Sequence, residues 1–242
     1  MATGFQHRKL RFTFELAQGT FDKEGEPNKL VIEDLMAHVV INAQGSYEFA
    51  HCKASIYGIS QETMNALTVI NFLSEDYYRN SLVIEATDDK GQYCVIFEGS
   101  VLNAMPNYQS MPIVPLEVEA RSGLIGSLKP VNPDTFSGAQ KVSVMMARLA
   151  SDLGMTLENN GVETILVDQV LTGTTNDKIM TIQQAARISV WIDEVDKVLA
   201  IAPIGYPRKS TEDIVSAQTG MVGNPIRLHQ GVFFRTLFSP NL

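Results

Sequence analysis

The sequence predicts a mainly β protein of the α+β class, in which a short helical region separates two regions of strand. Three observations support this. Apolar and polar residues alternate through the first half, the apolar period lengthens to three and four residues in the middle, and strand-like segments return near the end. Because 45% of the 242 residues are hydrophobic, we expect a well-packed core.

The first half predicts about six short strands. From Leu10 to Leu16, apolar residues alternate with charged and polar ones, which indicates a strand with one buried face. Further strands are expected at Leu30 and Ile32, Ala37 to Ile41, Cys52 to Ile56, Leu82 to Thr87, Tyr93 to Glu98, and Val114 to Ala120. Short strands separated by turn residues are typical of a β-barrel or sandwich. We also expect a helical turn from Glu75 to Asn80.

The middle of the chain predicts two helices and a hairpin. Ser137 and Gln140 resemble a capping box for a first helix that Gly154 ends. Asp177 is expected to cap a second helix after a loop from Thr172 to Asp177. Its inner side would carry Ile179, Ile182, Ala185, Ala186 and Val190. A hairpin is expected to turn at Glu194 to Asp196, and residues 162–170 predict a strand pair or irregular extended chain.

The last part predicts an incomplete sheet. A glycine-proline turn from Gln218 to Pro225 is expected to lead into strands between Ile226 and Phe238. Two strands cannot cover an apolar face, so this sheet needs a third strand or a partner surface. With prolines marking the edges of the helical part, we expect three units, at residues 1–126, 127–207 and 208–242.

Composition disfavours several classes of function. A net charge of -8 argues against binding to a nucleic-acid backbone. Cys52 and Cys94 lack metal-ligand spacing and are expected to be buried free thiols in a reducing cytosol. The sequence shows neither a secretion leader nor an apolar segment of about 18 residues, so we expect no membrane insertion by this chain.

Catalytic and metal-binding motifs are hard to find. His38 and His51 would need further ligands to hold a metal, so surface or satisfied histidines are favoured. Glu117 and Glu119 could act as paired carboxylates but more simply form the wet face of a strand. Asp193, Glu194 and Asp196 are interpreted as a solvated turn, and Gly123 to Gly126 as a linker. These residues indicate neither an enzyme nor a cofactor or metal site.

Four tyrosines could in principle stack on sugars, as the aromatic platforms of carbohydrate-binding β-domains do. Their spacing forms no platform, and burial in the core or use at an interface is favoured. They are Tyr77, Tyr78, Tyr108 and Tyr206.

The order of segments resembles that of baseplate hub proteins of contractile or long-tailed bacteriophages. In that family a turn with two glycines and a proline precedes a second tube-like barrel, and the residues at those positions here are Gly220, Met221, Val222, Gly223 and Pro225. The stretch from Ser137 to Gly154 resembles the helix of the family's insertion domain. Leu199 to Gly205 resembles its returning strand.

The resemblance implies a structural protein of the virion, at the tail tip or baseplate and assembled in the host cytoplasm. Family hubs form homotrimers in which each chain supplies two similar barrels, giving a pseudo-sixfold ring. Such a ring joins the tail tube, or a distal tail protein, to the spike. Here the sequence predicts little more than one hairpin of the second barrel before Leu242, so we expect an abbreviated hub, a truncated one, or one completed by another protein.

The candidate interface lies in this last part of the chain. Its residues are Gly220, Met221, Gly223, Pro225, Val232, Phe233 and Phe234. Two other functions stay open: a cell-wall hydrolase that would use Glu117 or Glu119, and a carbohydrate-binding tail protein that would use the tyrosines.

Overall fold

A computed structural model describes residues 8–17, 20–21, 28–43, 49–68, 80–88, 90–123, 131–208, 214–228 and 231–238. Within these ranges the chain forms β-strands in four sheets, together with α-helices and short 3-10 turns. None of the described helices is both long enough and apolar enough to cross a bilayer.

The largest sheet has seven strands, and all of its ladders are antiparallel. Its members are β1 (Leu10–Glu15), β2 (Lys29–Glu33), β3 (Ala37–Asn42), β4 (His51–Ile56), β5 (Ser81–Thr87), β6 (Tyr93–Pro106) and β7 (Leu116–Arg121). The strands lie in the order β2-β1-β5-β6-β7-β4-β3. The predicted strands are therefore confirmed, but among the described residues no ladder joins β2 to β3 and no closed barrel is observed.

Strand β6 is longer than the sequence predicts. It continues past Glu98 to Pro106, because its first half pairs with β5 and its second half with β7. Gly99 permits this close approach, since a Cβ atom there would lie 2.7 Å from the carbonyl carbon of Arg121. Gly99 directly follows Glu98, where the sequence predicts that the strand ends. In the structure it lies where the ladder with β5 gives way to the ladder with β7.

The core of this sheet is formed by the inward residues of the alternating strands. Phe12, Phe14, Leu82 and Ile84 are among its buried side chains. A short helix that the sequence analysis missed, α1 (Gln61–Leu67), covers part of it. The expected helical turn at 75–80 lies almost entirely outside the described residues.

A second group of elements surrounds a second core. Its strands are β8 (Asp134–Lys141), β9 (Thr156–Asn159), β10 (Ile165–Leu171), β11 (Ile188–Asp193) and β12 (Val198–Pro203), and its helices are α2 (Val142–Asp152) and α3 (Thr175–Ala186). Strands β8 and β10 form an antiparallel pair, whereas β12 pairs antiparallel with β11 and parallel with β9. The predicted hairpin of β11 and β12 is confirmed.

The predicted start of the first helix is wrong. Ser137 and Gln140 lie in β8, and α2 begins at Val142 after Lys141, whose side chain makes no capping hydrogen bond. Pairing with β10 outweighs the local capping pattern, because it pairs Ala139, Gln140 and Lys141 with residues of β10 across a ladder. The predicted end is confirmed, since Gly154 has a left-handed φ of 69°.

The second helix begins earlier than predicted. Thr174 is the N-cap and Asp177 is the third helical residue of a capping box, so Asp177 is not the cap. Thr175 is buried and already helical rather than part of a loop. Val190 lies in β11 and not in the helix. Residues 162–170 form no strand pair, because residues 165–170 belong to a single strand, β10.

The terminal segment forms a hairpin of β13 (Met221–Leu228) and β14 (Gly231–Thr236), after a 3-10 turn at Ala217–Thr219. The predicted turn from Gln218 to Pro225 is therefore wrong, because most of that segment is strand. The register shifts between Val222 and Ile226, where β13 bulges. Pro225 lies in this bulge, where its missing N–H does not interrupt the ladder.

Candidate assembly interface

The register of the terminal hairpin places four aliphatic and aromatic side chains on one face. Ile226 pairs with Phe233, and Leu228 pairs with Gly231. Because directly opposed residues share a face of a sheet, Val222 and Arg235, which also pair, lie on this face too. We call Val222, Ile226, Leu228 and Phe233 the apolar face of the hairpin.

The opposite face of the hairpin is mixed. Arg227 pairs with Val232 and Met221 with Thr236, and alternation places Phe234 beside them. The large apolar residues of both faces other than Met221 are between 45% and 57% exposed, whereas Met221 is half-buried. Among the described residues β13 and β14 pair only with each other, so each outer edge is left without a strand partner.

Some of the predicted interface residues present apolar side chains, and the others shape the backbone of the hairpin. Phe233 lies on the apolar face, while Met221, Val232 and Phe234 lie on the mixed face. Gly220 and Gly223 have left-handed φ angles of 100° and 77° and shape the backbone, as Pro225 does in the bulge. The Gly220 carbonyl accepts a hydrogen bond of 2.9 Å from the Leu237 N–H and fixes the open end of the hairpin.

Three members of the apolar face were missed by the sequence analysis. Val222, Ile226 and Leu228 are separated by even numbers of residues, and the shift of two positions at the bulge keeps them on the same face as Phe233. The bulge changes which residues are opposed: without it, the pairing of Val222 with Arg235 would continue to Ile226 opposite Gly231 instead of Phe233. The sequence could have indicated these three residues as interface candidates, because all three are apolar.

The charge of the terminal segment differs from that of the remaining chain. Residues 214–242 contain two arginines and no carboxylate, whereas residues 1–213 carry a net charge of -10. One of these arginines, Arg235, shares the apolar face, and its guanidinium carbon lies 6.0 Å from the centre of the Phe233 ring. The hairpin therefore combines exposed apolar surface with positive charge.

A second exposed apolar row lies on the two-stranded sheet of β8 and β10. Ile165, Val167 and Val170 are 54%, 58% and 63% exposed. They point to the same side because Asp168 adopts a left-handed φ of 50° at an irregularity in the ladder. The Gly138 N–H donates a hydrogen bond of 2.7 Å to Asp168 Oδ1 and fixes this irregularity. We call Ile165, Val167 and Val170 the outer row of β10.

Comparison with known families assigns the chain. Residues 10–242 match the family described as baseplate hub gp41. The chain belongs to this family. Membership makes it a component of a bacteriophage tail, as the resemblance of its segments predicted.

Two solved tail proteins are similar in structure to this chain. The tail protein from Neisseria meningitidis MC58 has a TM-score of 0.51 at 12% identity, and the match covers 82% of this chain and 52% of that protein. The 43 kDa tail protein of prophage MuSo2 from Shewanella oneidensis has a TM-score of 0.48 at 9% identity, covering 82% and 56%. The chain thus spans about half the length of these proteins. A comparison with curated proteins finds no significant match.

The candidate metal ligands of the hub protein are not brought together. His38 pairs with Ser55, whereas His51 pairs with Asn42 at the other end of the ladder between β3 and β4. His51 Nε2 lies 3.1 Å from Glu119 Oε1. Within the described ranges no three His, Cys, Asp or Glu side chains are grouped to hold a metal ion.

The candidate carboxylate pair lies on the wet face of β7, as predicted. Glu117 is exposed and its Oε1 accepts a hydrogen bond of 2.7 Å from Asn107 Nδ2. Glu119 Oε1 lies 3.1 Å from the Lys53 ammonium as well as near His51. Both carboxylates therefore belong to surface pairs on the large sheet.

The acidic hairpin turn is more anchored than the predicted solvated turn. Arg208 Nη1 donates a hydrogen bond of 2.9 Å to Asp193 Oδ2. Burial acts to raise the pKa of Asp193, but the hydrogen bond and charge of Arg208, together with the backbone hydrogen bonds from Asp196 and Val195, outweigh it and hold the pKa below its usual value. Burial raises the pKa of Glu194 despite the nearby Lys197. These carboxylates belong to the ion pairs and hydrogen bonds of the β11–β12 hairpin.

The remaining candidates are tyrosines and thiols. Tyr108 and Tyr206 are 51% and 66% exposed, so neither is a core residue, while Tyr77 and Tyr78 lie outside the described residues. Cys52 is a buried free thiol, as predicted, and burial raises its pKa to about 12. Cys94 is only half-buried, so the prediction of a buried thiol is wrong at this position.

Proposed function

We propose that this chain is a structural part of the tail baseplate hub, joining the tail tube, or a distal tail protein, to the central spike. In this proposal three copies form a ring with pseudo-sixfold character, located at the tail tip and assembled in the host cytoplasm. The observation that carries it is the terminal hairpin, whose apolar residues are exposed on both faces. Membership of the baseplate hub family supports it.

A threefold ring can meet a sixfold tube when each chain supplies two similar surfaces. We propose that residues 1–126 supply the first, tube-like unit, built on the seven-stranded sheet. Residues 127–207 form an inserted α+β unit, and residues 208–242 supply strands of the second tube-like unit. The unpaired outer edges of β13 and β14 would then accept strands from a neighbour by strand addition.

The proposed interface includes Gly220, Met221, Gly223, Pro225, Val232, Phe233 and Phe234. The aromatic and aliphatic members would be buried on assembly, since exposed clusters of this kind mark interaction sites. The glycines and the proline would keep the hairpin in the shape that presents them. The role proposed is structural and needs neither a cofactor nor a metal.

The Phe233→Asp substitution tests this role. We expect it to convert the trimer to monomer at micromolar concentration, because a carboxylate would have to be desolvated in the apolar contact. Sedimentation velocity measures the oligomeric state, and far-UV circular dichroism checks that the sheets remain folded.

The matched control is Met111→Asp, which places a carboxylate at another exposed apolar position, 71% accessible and remote from the hairpin in sequence. It should leave the trimer intact. A wild-type chain that stays monomeric at high concentration, with or without a tail-tube protein, would rule the proposal out.

A further inference from the structure

We propose that the apolar face of the hairpin in one copy docks on the outer row of β10 in a second copy of this chain. The inference rests on the trimer of the proposed function and names the surface that the hairpin occupies. Each copy then supplies one hairpin and one receiving sheet.

The two surfaces match in chemistry and in form. The apolar face offers Phe233 and three aliphatic side chains, and the outer row offers three β-branched ones. Each belongs to a two-stranded sheet, which cannot cover its own apolar face. Sheets that pack face to face interdigitate such side chains at a spacing of about 10 Å.

The inner side of the receiving sheet is already used. Leu166 and Phe136 pack against the second core and Leu171 is buried, so only the outer side is open. On that side Ala139 and Thr135, opposite Val167 and Val170, are small and leave these two valines accessible. Lys141 lies opposite Ile165, where its ammonium is 3.4 Å from Glu163.

Charge complementarity points to a second copy as the occupant. Arg235 lies on the apolar face, and the terminal segment carries no carboxylate. Asp168 is exposed and lies between Val167 and Val170 in the chain, and Glu163 near one end of the row is exposed, 3.4 Å from Lys141. The two carboxylates outnumber the one ammonium beside the row, so its charge is complementary to that of Arg235.

The proposed contact is heterologous, because the hairpin and the outer row are different surfaces. A heterologous contact closes into a ring when its rotation matches the symmetry. Three copies would close a ring in which each hairpin and each outer row is used once.

Reversal of one charge pair tests the contact. Arg235→Asp and Asp168→Lys should each weaken trimerisation of the full chain by about tenfold or more, and the double variant should recover most of this loss. A lysine is compatible with the left-handed backbone at position 168, since Lys197 has a φ of 53° in the same chain. Sedimentation velocity over a concentration series measures the association.

A second variant keeps the test decisive if the Asp168 substitution unfolds the receiving sheet. Val167→Asp should also dissociate the trimer, while Val144→Asp, at a similarly exposed valine on α2, should not. A trimer lost through Phe233→Asp but unaffected by Val167→Asp would overturn this docking and leave the trimeric hub standing. Single charge variants that weaken association without recovery in the double variant would also overturn it. A monomeric wild-type chain would overturn both.

Discussion

Lys178 is fully buried in the second core, which is an unusual position for an ammonium group. It donates hydrogen bonds of 2.7 Å to Asp134 Oδ2 and 2.6 Å to the Asn132 carbonyl. Arg148 lies 2.7 Å from the other oxygen of Asp134. One buried carboxylate thus links β8, α2 and α3, and each charge has partners.

Removing this ammonium should destabilise the second core. For Lys178→Met we expect the free energy of unfolding to fall by about 3 kcal/mol, the low end for a broken buried ion pair because Arg148 remains. Urea denaturation measures the change. Lys53→Met, at a residue 67% exposed, is the control and should cost less than about 1 kcal/mol.

The same variant should change the pH dependence of stability. Burial acts to raise the pKa of Asp134, but Lys178 and Arg148 outweigh it and hold that pKa below its usual value. A carboxyl group whose pKa is lower in the folded state than in the unfolded state stabilises the fold at pH values above the unfolded pKa of about 3.9. This stabilisation is lost as the pH falls below that value. The wild type should lose this contribution in acid, whereas Lys178→Met should have less of it to lose. Equal acid sensitivity of the two proteins would contradict this assignment.

Helix α3 depends on its capping box. The Thr174 hydroxyl caps the Asp177 N–H, and the Asp177 carboxylate accepts a hydrogen bond of 3.0 Å from the Thr174 N–H. The carboxylate also accepts a hydrogen bond of 2.7 Å from the Thr174 hydroxyl, and this hydrogen bond and the one from the Thr174 N–H lower the pKa of Asp177. The pair satisfies backbone donors that the first helical turn leaves without partners.

Thr174→Ala should reduce the free energy of unfolding by about 1 kcal/mol, the usual loss when an N-cap side chain is removed. Guanidinium denaturation followed by circular dichroism measures the loss. Thr172→Ala, two residues earlier at an exposed position, should be neutral within about 0.5 kcal/mol. Equal effects of the two substitutions would show that the box contributes nothing beyond a general effect of losing threonine.

The elements that could be predicted are those whose pattern is local. Strands β1 and β4 alternate clearly and were predicted, as was the hairpin of β11 and β12. The second half of β6 and the start of α2 were not, because pairing with β7 and β10 decides them. Helix α1 has only Ser60 as its cap and two buried side chains, Met64 and Leu67, which is too little periodicity to detect.

The candidate interface could likewise be predicted only in part. The apolar residues and glycines of the last segment are visible in the sequence, but which of them lie opposite each other in the hairpin depends on the bulge between Val222 and Ile226. The outer row of β10 likewise depends on the backbone at Asp168. Irregular backbone positions change which residues are neighbours, and alternation alone does not reveal them.

At the scale of the whole molecule, the buried apolar residues form two clusters. One lies in the seven-stranded sheet and the other among the helices and smaller sheets that follow it. Lys197 on the second group lies 2.9 Å from Glu98 on the first, but both side chains are largely exposed. An exposed ion pair of this kind adds little coupling.

Thermal unfolding should therefore show two transitions in differential scanning calorimetry. Lys178→Met should lower only one of them, and Leu82→Ala, which removes a fully buried side chain of the first cluster, should lower only the other. A single transition that both substitutions lower equally would show that the two cores unfold as one unit.

The ladder between β1 and β5 also constrains the order in which this protein can be made. Leu10 pairs with Ala86, 76 residues later, and His51 of β4 cannot pair with Arg121 of β7 until β7 has been synthesised. At about 5–20 residues per second, a ribosome takes roughly 4–15 s to synthesise the partner of β1. During that interval Phe12 and Phe14 are available to a chaperone, whereas β8 finds β10 within a few tens of residues. The part of the chain that is synthesised first thus depends on a later segment for its completion.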